Sequence, residues 1–454
     1  AVEKGMSASS LGESQMKGRS LIPMTKKRKY RSISVNDKRL ASLIETAPEG
    51  RLIVGIDIAK TRQFAALMSG DAEVHGIIRW EHPVESPRFL EVLKELHARC
   101  ELEFVMEPSS TYGDAIRAAL ESAGYRVFRV NPKRTHDAAE VYDGVPSMHD
   151  AKSASIVAKL HLDGGSEPWP VASEHERSLR AALRVLKIYQ EQFARNRNRL
   201  ESLLARHWPE LPRTLELGSV TLLMLLIEFG SAESVAAAPD EARALMRKVG
   251  GTMLKQEKLE DVVTQAARSF GMRPVAAEID ALQEIARETR RCQKAMNQAK
   301  KAIERLTEEE GPAREMRPVI GKTTAAVLVA AAGDPKDYRC PAAYQKALGL
   351  NLKEKSSGKY HGALHISKRG SGVARHFLYL AVLRLLQRDP IVRAWYDKKV
   401  GRQGGTLKSK AVIAIMRKLS RALWHVAHGA IFDARKLFDA RKLGFEPTTM
   451  EAIG

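Results

Sequence analysis

The stretch Leu52-Ile53-Val54-Gly55-Ile56-Asp57-Ile58-Ala59-Lys60 decides the fold. It is an apolar, β-branched run with one carboxylate near its end. Such a run reads as a buried strand. A lone Asp within it is costly unless something pairs with it. A divalent cation, shared with carboxylates at neighbouring strand ends, meets that need.

Outward from this strand, 63–68 and 74–80 read as its antiparallel partners. Helix 87–99, strand 102–106, helix 112–123, strand 125–130 and helix 150–162 follow. A three-strand meander followed by alternating helix and strand predicts a mixed sheet with helices on its faces, the order of an RNase H-like α/β fold. Asp57, Glu107 and Asp150 each sit at a strand end or a helix start, places that lie close together in such a sheet. Three gathered carboxylates repel, and one takes up a proton unless a cation neutralises them. Mg²⁺ (or Mn²⁺) suits a few carboxylates plus waters and phosphate oxygens, the apparatus for polarising a scissile phosphodiester. Taken singly, each acid also reads as a surface or capping residue, and Asp150 as a helix N-cap.

Composition narrows the partner. The 454 residues have room for two or three domains. Lys and Arg number 74 against 54 Asp and Glu, a net charge of +20. That excess favours a polyanion. No apolar run approaches the roughly 20 residues of a membrane span, and no signal peptide is visible. Nucleic acid is therefore preferred to a membrane, in the cytoplasm. Cys100, Cys292 and Cys340 are scattered, which fits a reducing compartment and neither a disulfide framework nor a zinc motif.

Four segments emerge. Residues 1–49, with Lys26-Lys27-Arg28-Lys29-Tyr30-Arg31, read as a basic disordered arm, either a solvated tail or a nucleic-acid-binding one. Residues 50–168 form the mixed-sheet domain. In 169–312, Leu179, Leu186, Phe193 and Leu200 recur every seven residues. Leu282, Ile285, Thr289, Cys292, Met296, Ala299, Ile303 and Leu306 step by three and four. Both are coiled-coil patterns, read as an antiparallel basic pair with a small helical insertion near 215–251. Residues 313–454 read as mostly helical. There Gly321 with Lys322 forms a helix–Gly turn–helix whose amides suit phosphate. Ser357 lies among Lys355, Lys359, Lys368 and Arg369, cations that suit a phosphate backbone and charge developing on it. A serine hydroxyl needs such help to act as a nucleophile. By residue type alone, Ser356-Ser357-Gly358-Lys359 is also an ordinary turn, and it lacks P-loop spacing. Phe-Asp-Ala-Arg-Lys-Leu occurs twice in tandem, from Phe432 and Phe438, with no function to assign.

Four stretches together resemble the DEDD-type insertion-sequence transposases, also called bridge-RNA-guided serine recombinases, to which the Piv DNA invertase is related. Val54 to Lys60 matches the family's first acidic motif. Met106-Glu107-Pro108-Ser109-Ser110-Thr111-Tyr112 resembles its Glu-Ala-Thr-Gly-x-Tyr motif. Val130-Asn131-Pro132 with the block 150–158 resembles its Asn-Pro and Asp-x-x-Asp-Ala motifs. Ile320-Gly321, Ser356-Ser357-Gly358 and 366–370 resemble its carboxy-terminal transposase domain. The resemblance implies a RuvC-like domain binding Mg²⁺ through Asp57, Glu107 and Asp150. It implies Ser357 as the nucleophile forming a phosphoserine link to DNA. A structured noncoding guide RNA and assembly from dimer to synaptic tetramer, with acids and serine from different subunits, are implied as well.

The family's fourth acid falls on Ser153. Loss of a metal partner costs roughly 10–100-fold even in the outer shell, so a slow enzyme, a non-catalytic nucleic-acid-binding relative, and rescue by another acid such as Asp143 all stay open. A metal-dependent nuclease or junction resolvase, with Ser357 incidental, is the other reading. An actin-like or sugar-kinase ATPase fits poorly. Ala59 stands where that fold expects glycine, and no second phosphate motif follows.

Overall fold

The computed structural model describes residues 30–445, apart from Ser109, Ser110, Ala139, Asp143, Lys355, Gly358, Lys359, Ala363 and Gln403; at Ser356, Ser357, Tyr360 and His361 it describes the backbone alone. The chain divides into two compact units, Ala1–Val171 and Ala172–Gly454.

The first unit opens with strand β1 (Ser32–Ser34) and helix α1 (Arg39–Glu45). Both fall in the segment read as a disordered arm, and that reading fails for them. Three strand residues carry no periodicity to detect, yet Val35, Leu40 and Ile44 are buried. Strands β2 (Gly50–Asp57), β3 (Arg62–Ser69) and β4 (Val74–Glu81) form the antiparallel meander. Helix α2 (Ser86–His97), strand β5 (Cys100–Met106), helix α3 (Asp114–Ser122) and strand β6 (Arg126–Val130) alternate as expected. Then come α4 (Pro132–Ala138), α5 (Asp150–Leu162) and a short strand β7 (Ser166–Pro168). The sheet order is β1-β4-β3-β2-β5-β6-β7. β2, β5 and β6 run parallel, and β1 adds parallel to β4 at one edge. Leu52 through Ile56 are buried without alternation, because helices cover both faces of the sheet. One face packs on α2 and α3, and the other on α5. This is a mixed α/β sheet of the RNase H-like kind.

The second unit is built on two long helices. α6 (Glu174–His207) begins at a capping box, Ser173 with Glu176. After α7 (Leu211–Thr214), a small helical cluster follows: α8 (Val220–Phe229), α9 (Ala232–Ala237), α10 (Pro239–Gly250) and α11 (Gln256–Ala267). The chain returns in α12 (Ala276–Leu306). His207 lies 3.5 Å from Glu278, and Cys292 points its thiol at Gln192, so the pair is antiparallel. Leu186, Ala299 and Ile303 share a core with Ala326, Val327, Val373 and Phe377. The helical pair therefore packs directly on α14 (Lys322–Ala332) and α16 (Gly372–Arg388), and the other carboxy-terminal helices are α13 (Gly311–Ile320), α15 (Pro341–Ala347), α17 (Pro390–Gly401), α18 (Lys408–Ala427) and α19 (Ala434–Leu437).

A β-hairpin interrupts these helices. Strands β8 (Leu352–Lys353) and β11 (His365–Ile366) pair at its base, and β9 (Ser356–Ser357) and β10 (Tyr360–His361) pair farther out. Lys353 faces His365 and Ser357 faces Tyr360, so the return strand holds one extra residue between the ladders. The tandem repeat has a structural role. Asp433 and Asp439 accept from the amides of Arg435 and Lys442, making two capped turns in succession. Phe438 packs against Trp395 with Lys418 over its ring.

Candidate active site

Asp57 ends β2, half-buried, and Glu107 directly follows β5, the parallel neighbour. Asp150 is the first residue of α5, and Ser153 lies one turn on. Two features seat this helix on the strand. Gly55 offers no side chain: a Cβ there would lie 2.4 Å from the Ala154 carbonyl oxygen and 2.6 Å from the Ala158 amide. Only glycine admits so close an approach. The Ser153 hydroxyl then donates to Asp57 Oδ1 at 2.7 Å.

The electrostatics follow from that packing. Burial pushes the Asp57 carboxyl up to about 6; the Ser153 hydrogen bond opposes this, and the charges of Asp150 and Glu107 add to it. Asp57 thus feels the charge of each of the other two acids. Asp150 is not the helix cap. His149 is, its ring accepting from the Lys152 amide, and Asp150 stays exposed in the first turn.

The Ser357 backbone lies in β9, next to the hairpin turn. Lys355, Gly358, Lys359 and the alternative acid Asp143 lie outside the described residues. Lys368 and Arg369 are exposed beside the hairpin base. Lys322 starts α14 but is held by Glu308 at 3.0 Å, and Thr323 donates to Glu304. The Gly321 turn therefore carries acids of its own, and Arg384 covers the Ile320 carbonyl behind it. An anion site at that turn is accordingly weaker than its sequence suggested.

A transposase model of the DEDD, IS110 type matches residues 54–209. A second, for transposases of the IS116/IS110/IS902 family, matches 315–397. The chain is 22% identical over 399 residues to an insertion element IS110 uncharacterized 43.6 kDa protein of Streptomyces coelicolor. That match spans 85% of this chain and 96% of the relative. The chain belongs to the IS110 family of DEDD transposases. It is an enzyme that acts on DNA.

Within the transposase, two further residues build the site, and one of them was invisible to motif reading. Lys152 looks like a surface cation between Asp150 and Ser153, yet it is 1% exposed. Its ammonium donates to the carbonyls of Val145 and Ser147, pinning the loop that leads into Asp150. Gly55 was open to inference, because glycine inside a strand marks a close approach. Asp57, Glu107 and Asp150 suit a hard divalent cation in kind, since all are oxygen donors and Asp57 is a carboxylate whose charge lacks compensation. Among the described residues, however, no three His, Cys, Asp or Glu side chains converge tightly enough to form a ready-made cation site.

Proposed function

We propose that this transposase cuts and rejoins DNA through a covalent phosphoserine link at Ser357, with Asp57, Glu107 and Asp150 holding Mg²⁺. The observation that carries the reading is the half-buried Asp57, its pKa raised by burial and by two acidic neighbours while Ser153 donates to it. A bound divalent ion would relieve that repulsion and supply Lewis acidity to a phosphate oxygen. Lys152 and His149 fix the start of α5 and so the direction of Asp150. In the transfer, the Ser357 oxygen forms a bond to phosphorus while the bond to a deoxyribose oxygen breaks. The serine proton leaves to solvent or base, and the departing oxygen gains one. Attack by a deoxyribose hydroxyl on the phosphoserine reverses the step and rejoins the strand. Lys368 and Arg369 would bind the backbone around the scissile phosphate. The charge of +20 supports further contacts to a structured guide RNA, and the basic helical pair supports assembly into a synaptic homo-oligomer.

Incubation with end-labelled donor DNA, guide RNA and Mg²⁺, followed by denaturing gels, tests this. A protein–DNA adduct is expected, absent in Ser357→Ala and in Asp57→Ala. Cleavage that survives Ser357→Ala would instead establish a metal-dependent nuclease. Ser153 favours a second reading, a catalytically impaired relative that still binds nucleic acid, because a neutral hydroxyl replaces the fourth carboxylate at Asp57. No adduct from the wild-type chain, with binding intact, would decide for it.

A further inference from the structure

Beside the serine hairpin lies a cleft of about 840 Å³. Arg339, Lys346, Lys353 and Arg369 line it, and among the described residues no acidic side chain does. None of the four has an ion-pair partner among the described residues, whereas Arg88, Arg243, Arg393 and Lys322 each hold a carboxylate. Like charges gathered without counter-charge repel one another, and such an arrangement is explained by an anion that occupies it.

The frame around the cleft is rigid. A Cβ on Gly370 would lie 2.2 Å from the Ala347 carbonyl oxygen, and one on Gly349 would lie 2.6 Å from that of Arg369. The turn after α15 and the turn before α16 are thus packed backbone to backbone. The Lys368 amide donates to Gly349 and the Ser367 amide to Asn351, locking the hairpin base to α15. Lys353 closes the inner ladder, and Ser357 lies four residues on, at most about 14 Å of chain.

We infer that this cleft seats a polynucleotide strand by its phosphates, next to the scissile position, with Arg339, Lys346, Lys353 and Arg369 as the contacts. The inference rests on the transposase reading and adds a binding surface to it. DNA and guide RNA offer the same phosphate chemistry, so the probe must separate them.

Cys340 provides a native reporter. It lines the cleft, while Cys100 and Cys292 are buried. The amides of Ala343 and Ala342, with Arg339 beside it, hold its thiol below the ordinary value and keep it reactive. The full-length protein is alkylated with iodoacetamide, alone and with a 30-nucleotide single-stranded DNA, a DNA duplex or a hairpin RNA, and Cys340 modification is followed by mass spectrometry. At saturation the strand that occupies the cleft slows alkylation at least tenfold, and the protecting arm identifies the source. Lys346→Ala with Lys353→Ala, both exposed positions, reduces the slope of log affinity against log salt by about 1.4 to 1.8. Gel-shift binding with an unchanged rate at Cys340 overturns the cleft and leaves the transposase reading standing. Failure to bind either nucleic acid removes both. Unchanged melting of the double variant separates loss of contact from loss of fold.

Discussion

At the residue scale, Asp57 carries a conflict between folding and chemistry. Its carboxyl titrates near 6 rather than 3.8, so the folded chain holds this proton more tightly than the unfolded chain does. The contribution to stability is therefore full below pH 3.8 and is lost as pH rises through 6. Ionised at pH 7.5, Asp57 lowers stability by about 2–3 kcal/mol. Asp57→Asn, which keeps an acceptor for Ser153, should raise the metal-free melting temperature at pH 7.5 while abolishing activity. The gain should shrink as the buffer is taken below pH 6, as thermal melts will show. Ser153→Asp should do the opposite. A fourth carboxylate raises the repulsion at Asp57, lowers metal-free stability and tightens Mg²⁺ binding by about 10–100-fold, measured by calorimetric titration. The placement of Asp57, Glu107 and Asp150 was legible because strand ends and helix starts are local features. The His149 cap and the buried Lys152 were not, because each depends on where the 145–149 loop closes, a tertiary outcome.

At the element scale, the contact of α5 with β2 holds the acid cluster in register. Gly55→Ala drives a methyl into the Ala154 carbonyl and must shift the helix. We expect a loss of about 1–3 kcal/mol, the usual range for overpacking, and weakened activity. Gly70→Ala is the control, since nothing lies within 4 Å of a Cβ there. Comparing the two melting temperatures checks the claim. A second cluster supports the sheet from its other end. Glu103 is buried between Arg51, Arg126 and His161, at 2.6, 2.8 and 3.0 Å. Burial would raise its pKa, but the hydrogen bonds from His161 and Arg51 prevail and lower it. Its stabilisation is thus present above the ordinary carboxylate pKa and lost as the solution is acidified below it. Glu103→Gln should flatten the acid limb of a stability–pH profile. The strands and long helices were legible through unbroken apolar runs and heptads, whereas β1 and the serine hairpin have strands of two or three residues and no period to read.

At the scale of the whole molecule, charge and packing divide the labour. The exposed faces of α6 and α12 carry Arg195, Arg197, Arg199, Arg291, Lys294 and Lys301, while their buried faces hold the second unit together. Nucleic-acid affinity should therefore fall steeply with salt, read as the slope of log affinity against log salt concentration. The Tyr30 ring stands edge-on to His149 at 5.4 Å and packs against the cluster that includes Ala151 and Ala154 of α5. The four cations Lys26, Lys27, Arg28 and Lys29 immediately precede it. A fusion partner or affinity tag spliced directly ahead of Tyr30 would hang at the doorway of the acids, so reporters for this transposase belong elsewhere.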